Sequence, residues 1–386
     1  MHTPKLLKSS TTALLIIGVH LASSGYPNVK YRIEDLKKSY PLYREVNFPM
    51  WLERDLDDPK RHSALMNIFR ALSAHVLIIT SLFFSRRPSV AYIPYPAIFI
   101  CFFISLLPSL LKPKHLVIDM FISVYDSVVI DRKLFGLSHI IAKLLMWVEK
   151  RGLGAADIII TDTDLNSDYY AALFDIDRSK FDAIPLSTDE TGLLITSKLT
   201  DVKKIEVVFI GTLVPLHGIK TIVDAIELLA SDDRIHFTIV GDGQDRSALD
   251  LYSNNLSHQV RWIRHWQNEN EIARYVSEAD ICLGIFGGGD KTQRVCPFKL
   301  YLYMSYGKSI ITADTKCMRA MFGNSSERPI SLVPSKNPEK LADAIQALAD
   351  DQSRRKRLEI TSRNFYRESL ANQIGISKLL QKLNRV

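Results

Sequence analysis

Short aliphatic runs rich in Val and Ile alternate with longer amphipathic runs along nearly the whole chain, and this alternation constrains the fold more than any other feature. Strand-like runs occur at residues 13–19, 76–79, 90–93, 116–119, 157–161 and 181–185. A second series follows at 206–210, 236–240, 260–263, 281–284, 309–312 and 330–333. Helical periodicity separates them, as in 219–230 and 338–349. Strands that alternate with helices predict parallel sheets covered on both faces. Two such series in 386 residues predict two doubly wound α/β domains. The polar stretch 186–204 is the expected joint, giving domains 1–187 and 188–364.

The composition, 47% apolar and 24% charged, is that of a globular protein. Cys101, Cys282, Cys296 and Cys317 share no CxxC spacing and lie in or beside apolar runs. This argues for buried thiols rather than a zinc site or a disulfide framework, and for a reducing compartment. The net charge of +7 is uneven: residues 1–150 hold 19 Lys/Arg against 11 Asp/Glu, or +8, and the remainder sums to −1. A basic front half suggests an anionic partner. No nucleic-acid-binding signature is present, so an anionic membrane surface is the expected one. Residues 12–19, "TALLIIGV", read as a first strand, with a signal peptide as the alternative. Residues 95–111, "YPAIFICFFISLLPSLL", contain two prolines and fall short of a bilayer span. They read as a buried crossover helix, or one that also dips into the membrane interface between flanking basic residues.

Ligands of doubly wound sheets bind at the carboxyl ends of the strands. After the first strand, "SSGYPN" offers Gly25 for close backbone approach, as a phosphate site or a simple turn. Asp119 ends a strand, and Asp126 and Asp131 follow in the next loop. A carboxylate there could hold a hydroxyl or help deprotonate an alcohol, whereas Asp131 could equally cap a helix. In the second series, the loop Gly211–Gly218 includes Thr212 and His217, and Gly241 makes a turn after residue 240. The stretch "GIFGGGDKTQRVCPFKLYLYMSYGKSI" joins three glycines to Lys291, Arg294 and Lys299, the last just after Pro297 at a helix start. A cation at the positive end of a helix dipole is expected where an anion binds, and a diphosphate suits this combination. Trp262 and Trp266 could wall a base or simply pack in the core.

The pattern "FIGTLVPLHGIKTIVDAI … FTIVGDG … ADICLGIFG … PFKLYLYMSYGKSIIT" resembles the donor-binding half of glycosyltransferase family 4, whose members have the GT-B fold. In the front half, "DMFISVYDSVVIDRK", "ADIIITDTDLNSDYY" and "FDAIPLS" keep the order of those enzymes. The resemblance implies two Rossmann-like domains facing across a cleft, the acceptor on the first and the nucleotide-sugar on the second, with the final helix, 365–386, packing back on the first. It implies retaining transfer, without metal or cofactor, from a nucleotide-diphosphate sugar to a glycan or lipid-linked acceptor, as in cell-surface polysaccharide synthesis. The expected setting is the cytoplasm or the inner face of its membrane. Relatives carry an arginine and a lysine where this chain has Thr212 and His217, and two glutamates where it has Arg294 and Leu302. Two readings follow. Either Lys291, Arg294 and Lys299 replace the lost cations in a variant subgroup, or the chain is a catalytically silent module of a glycan-assembly complex. An epimerase of similar architecture would gather histidines that are scattered here.

Overall fold

The computed structural model of the protein describes residues 14–20, 27–40, 42–49, 64–83, 88–194, 204–252, 259–265, 267–323 and 328–384. The chain forms two compact units. The first comprises residues 1–129, 134–184 and 373–386, and the second comprises 130–133 and 185–372. The exchange between units at 184/185 therefore falls three residues before the expected boundary at 187/188, and residues 130–133 belong to the second unit.

The first unit holds a six-stranded, all-parallel sheet in the order β2-β1-β3-β4-β5-β6. Its strands are β1 (Leu14–Gly18), β2 (Tyr43–Asn47), β3 (Val90–Ile93), β4 (His115–Asp119), β5 (Ile158–Thr161) and β6 (Phe181–Ala183). Period-two alternation sends Leu14, Ile16, Tyr92, Val117 and Ile160 to one face. There they pack with Val29 and Ile33 of the helix Pro27–Ser39 and with Ile376 and Leu379 of the C-terminal helix Asn372–Leu383. The crossovers from β2 to β5 run in one direction, so their right-handedness places three helices on the other face: Ala64–Phe83, Ile98–Leu106 and Ile140–Gly154.

Two sequence expectations change here. Residues 76–79 are helical, inside Ala64–Phe83. Ala74, Ile78 and Leu82 are buried at intervals of four, so a helix face, and not a strand, satisfies this apolar run. The strand β2, "YREVN", was not anticipated: it is an edge strand of largely exposed side chains, paired with β1, with Glu45 bonded to His20 and Lys37 and Asn47 donating to the His20 carbonyl, and it lacks an apolar alternation.

The second unit repeats the design in the order β12-β11-β10-β7-β8-β9, all parallel. Its strands are β7 (Ile205–Ile210), β8 (Ile235–Val240), β9 (Val260–Ile263), β10 (Ile281–Leu283), β11 (Ser309–Ala313) and β12 (Ser331–Val333). The order reverses between β7 and β10, which makes that point the binding crevice of a Rossmann-like sheet. All four cysteines are buried thiols. Among the described residues, no helix is long and apolar enough to cross a membrane.

Within the second unit, the chain's entry and exit lie side by side. The Asn372 side chain accepts from the Thr188 N–H (2.9 Å) and donates to the Thr188 carbonyl (2.8 Å), while its own N–H donates to Glu190 (2.8 Å). Tyr366 donates its hydroxyl proton to Glu190 at 3.1 Å. Replacing this buried amide leaves two backbone groups without partners. Asn372→Ala is therefore expected to lower the unfolding free energy by about 1–3 kcal/mol, read by denaturant titration.

Candidate functional site

At the switch point of the second sheet, the loops after β7 and β10 are hydrogen-bonded to each other. Phe286 N–H donates to the His217 carbonyl (3.0 Å) and Gly287 N–H to the Leu216 carbonyl (3.2 Å). Gly218 has φ +65°, and a Cβ there would stand 2.5 Å from the Gly287 nitrogen, so this contact admits only glycine. The turn after β8 closes on the same loop, and Leu213 exchanges backbone hydrogen bonds with Asp242 and Asp245. The Trp262 indole donates to the Gly241 carbonyl at 2.9 Å, with the Arg264 guanidinium 3.9 Å from its ring centre. Trp262 thus braces the turn at Gly241. Trp266 and Gly25 lie outside the described residues.

The helix Phe298–Ser305 begins at this crevice. Pro297 is its N-cap, no side chain caps it, and its first turn has no acidic residue. Tyr303 fixes it to the end of β7 by accepting a hydrogen bond from Ile210 N–H at 3.1 Å. Lys299 is only 7% exposed, and its ammonium has no hydrogen-bond partner. It lies 3.8 Å from the ring centre of Phe209, and a methyl group on Gly211 would stand 2.7 Å from its Nζ. Burial pushes its pKa well below the ordinary lysine range. A buried, unpaired ammonium beside an uncapped helix start opposes stability and favours an anion.

His217 does not add a second cation. Its Nδ1 contacts the Thr212 carbonyl, which can only accept, so Nδ1 carries the proton and Nε2 is left as an acceptor. Burial first, then the charge of Lys299, holds His217 well below the usual histidine pKa. The Thr212 side chain is exposed.

The expected cluster of three cations resolves differently. Lys291 Nζ pairs with Asp131 at 3.7 Å, and both are nearly buried. Asp131, which the sequence leaves as either part of the acidic loop or a helix cap, belongs to the segment carried by the second unit. Arg294 is buried and pairs with Asp290 at 3.4 Å. Of the three, only Lys299 is left unpaired. Leu302 is buried, and its carbonyl accepts from the Ser305 hydroxyl at 2.8 Å. Two contributors were not singled out from the sequence. Phe209 was read only as part of a core strand. Lys336, in the loop after β12, is exposed with φ +55°, and its chain passes 2.3 Å from where a Cβ on Gly288 would stand.

In the first unit, Asp119 ends β4 and accepts from the Tyr92 hydroxyl at 2.5 Å. Burial raises its pKa, and the charge of Arg32 and the Tyr92 hydrogen bond oppose that rise. A small recess lined by Tyr95, Pro96, Ile98, Met120 and Glu149 adjoins it. Glu149 is raised to about 7 by burial, despite accepting from Ser123 Oγ and from the N–H groups of Val124 and Tyr125, each at 2.8 Å. Asp126 is fully buried, with the Tyr170 hydroxyl donating to it at 3.4 Å. Among the described residues, no group of three His, Cys, Asp or Glu side chains converges as a metal site would require.

Residues 204–351, which contain this crevice, match the family described as Glycosyl transferases group 1. Solved structures resemble the whole chain. HepE of Anabaena in complex with UDP and glucose aligns with a TM-score of 0.70 at 12% identity, covering 97% of this chain and 100% of that one. Sucrose-phosphate synthase of Thermosynechococcus elongatus aligns at 0.71 and 15%, covering 97% and 99%. A glycosyltransferase of Rickettsia africae aligns at 0.64 and 13%, covering 96% and 98%. The architecture is therefore GT-B, with two Rossmann-like units. No curated protein sequence matches the chain.

Lys299→Met keeps the bulk of the side chain and removes the buried charge. It is expected to stabilise the ligand-free protein by on the order of 1–3 kcal/mol. The lowered folded pKa means that the unfolded chain binds more protons, so wild-type stability rises with pH between that value and the ordinary lysine range. Lys299→Met should lack this rise, as measured by denaturant titrations across alkaline pH.

Proposed function

We propose that the protein is a glycosyltransferase that uses a nucleotide-diphosphate sugar, with the diphosphate at Lys299. The observation that carries this reading is the unpartnered, buried Lys299 ammonium at the switch point of a unit matching Glycosyl transferases group 1. The neighbour crystallised with UDP and glucose points to the same ligand class. As the glycosidic bond breaks, negative charge grows on the leaving diphosphate. A fixed ammonium and the positive end of a helix stabilise that charge without reorganising. Gly211 and Gly241 let the ligand approach backbone, and Lys336 beside Gly288 is a further cation within reach of the glycine loop. The proposal includes retention of anomeric configuration and no call on a metal or cofactor, in a family 4 subgroup in which Lys299 replaces the cations lost at Thr212 and His217.

The acceptor, a glycan or lipid-linked sugar of cell-surface polysaccharide synthesis, is assigned to the first unit. Asp119 is the group proposed to hold its hydroxyl, because it ends a strand beside the small recess, although it is itself buried. Asp126 is less suited, being fully buried. One observation favours the second reading, a silent binding module. Arg294 and Leu302 stand at the positions of the family's glutamates, and both are packed inside.

Nucleoside diphosphates, tested as a panel, should raise the melting temperature of the wild type through linkage, and Lys299→Met should lose at least most of that shift. Release of nucleoside diphosphate from the matching sugar donor separates enzyme from module. Binding without turnover, whatever acceptor glycan is supplied, would favour the module. Stabilisation by no nucleotide would overturn the enzyme and favour the module.

A bound diphosphate should also raise the depressed Lys299 pKa. Binding is then accompanied by proton uptake and weakens as pH rises. Calorimetry in buffers of different ionisation enthalpy reads the uptake directly.

A further inference from the structure

The three helices on one face of the first sheet form a layer that is apolar on both sides. Toward the sheet, Ala74, Ile78 and Leu82, then Ile100, Cys101 and Ile104, then Ala142 and Leu153, are buried. Ile98–Leu106 packs between the other two helices. Away from the sheet, Ala64–Phe83 carries Phe69, Leu72 and Val76, exposed by 67%, 57% and 59%. Ile140–Gly154 carries Ile140, Leu144 and Trp147, exposed by 74%, 54% and 54%. These positions recur at i, i+3 or i+4, and i+7, so each set is a single stripe on its helix. Rings join the stripes. Phe102 meets Trp147 at 5.0 Å between centroids and Phe103 at 5.6 Å, and Phe103 meets His75 at 5.8 Å. The result is one continuous apolar surface. Scattered exposed apolar residues need no explanation, but a connected patch of this kind does.

The charges on the same helices have one sign. Arg70, Lys143, Lys150 and Arg151 lie on them, and Lys112 and Lys114 follow the middle helix. Their only carboxylate is Glu149, which is buried and turned inward to Ser123, Val124 and Tyr125. Asp175, from the end of the next helix, pairs with Lys150 at 3.0 Å, and Lys112 donates to the Ser105 carbonyl at 2.9 Å, so Arg70, Lys114, Lys143 and Arg151 carry the positive character of this face.

We infer that this three-helix face of the first unit docks on the surface of an anionic lipid bilayer, with Leu144, Trp147, Phe69 and Val76 entering the interface and the lysines and arginines meeting the headgroups. Charge complementarity selects the occupant. A second copy of the chain would bring cationic faces together, whereas an anionic bilayer offers apolar depth and negative charge at once. Tryptophan is suited to that boundary because one end of its ring system is apolar and the other donates a hydrogen bond. The docking element differs from that expected of residues 95–111. The helix Ile98–Leu106 is the middle of the layer, and the outermost apolar residues are contributed by its two neighbours. The inference is independent of glycosyl transfer, and its test contains neither donor nor acceptor.

The full chain is mixed with vesicles of phosphatidylcholine alone, or of equal parts phosphatidylcholine and phosphatidylglycerol, and sedimented. The wild type should partition onto the mixed vesicles, more weakly as salt rises, and far less onto phosphatidylcholine. Leu144→Glu with Trp147→Glu, and separately Phe69→Glu with Val76→Glu, should each reduce partitioning by roughly tenfold or more. Ile360→Glu, at an exposed apolar position of the second unit, should leave it unchanged. Far-UV circular dichroism and melting identify any variant that fails to fold. The conservative Trp147→Phe gives a second readout: brominated lipid should quench wild-type fluorescence, and the quenched component should be missing from this variant. Absence of vesicle binding at low salt would overturn the inference. So would unchanged binding in both paired variants, or a lipid-free dimer that the same substitutions abolish.

Discussion

An ammonium group buried against an aromatic ring, with no partner, costs stability in any fold, and the second unit keeps one at Lys299. The surrounding structure is arranged so that this cost has a purpose. Tyr303 fixes the helix to β7, Pro297 starts it without a capping acid, and glycines bring backbone where side chains would fill the space. Nearby charges are already matched: Lys291 faces Asp131, and Arg294 faces Asp290. His217 stays neutral because it is buried beside Lys299 and its proton points to the Thr212 carbonyl. Among the described residues, Lys299 remains a buried positive charge without a hydrogen-bond partner at the point where strand order reverses, which is where a doubly wound sheet admits a ligand.

The two units use the same architecture for different ends. In the second, the loops at the switch point gather around Lys299, and the helix Phe298–Ser305 places it there. In the first, one helical layer closes the core together with the C-terminal helix, and the other keeps apolar residues on its outer side as well. A helical layer normally buries its apolar stripe and turns polar residues to water. Departure from that rule over three adjacent helices, with charges of one sign around them, is a property of a surface built for contact.

Much of this was legible in the sequence. Strand runs of aliphatic residues are unambiguous when they are central and buried on both faces, as at β3, β7 and β8. The reading failed where that logic is absent. The edge strand β2 carries largely exposed side chains, held by backbone pairing and by the polar contacts of Glu45 and Asn47, so no apolar pattern marks it. Residues 76–79 have the composition of a strand, but only the longer four-residue spacing of Ala74, Ile78 and Leu82 shows that they belong to a helix. At the site, the glycine loops, Pro297 and Lys299 were visible as a group. The expectation of three cooperating cations was not met, because pairing depends on neighbours distant in sequence: Asp131 lies 160 positions before Lys291.

By itself, then, the sequence determined the class of architecture, the ends of the strands where ligands bind, and a lysine at an uncapped helix start, since local periodicity, turn residues and helix polarity are written in short stretches of chain. Only the tertiary structure decided which charge is left unpaired and which apolar residues face outward. Both are properties of what the folded chain brings, or fails to bring, within a few ångströms of a side chain, and no local pattern contains that information.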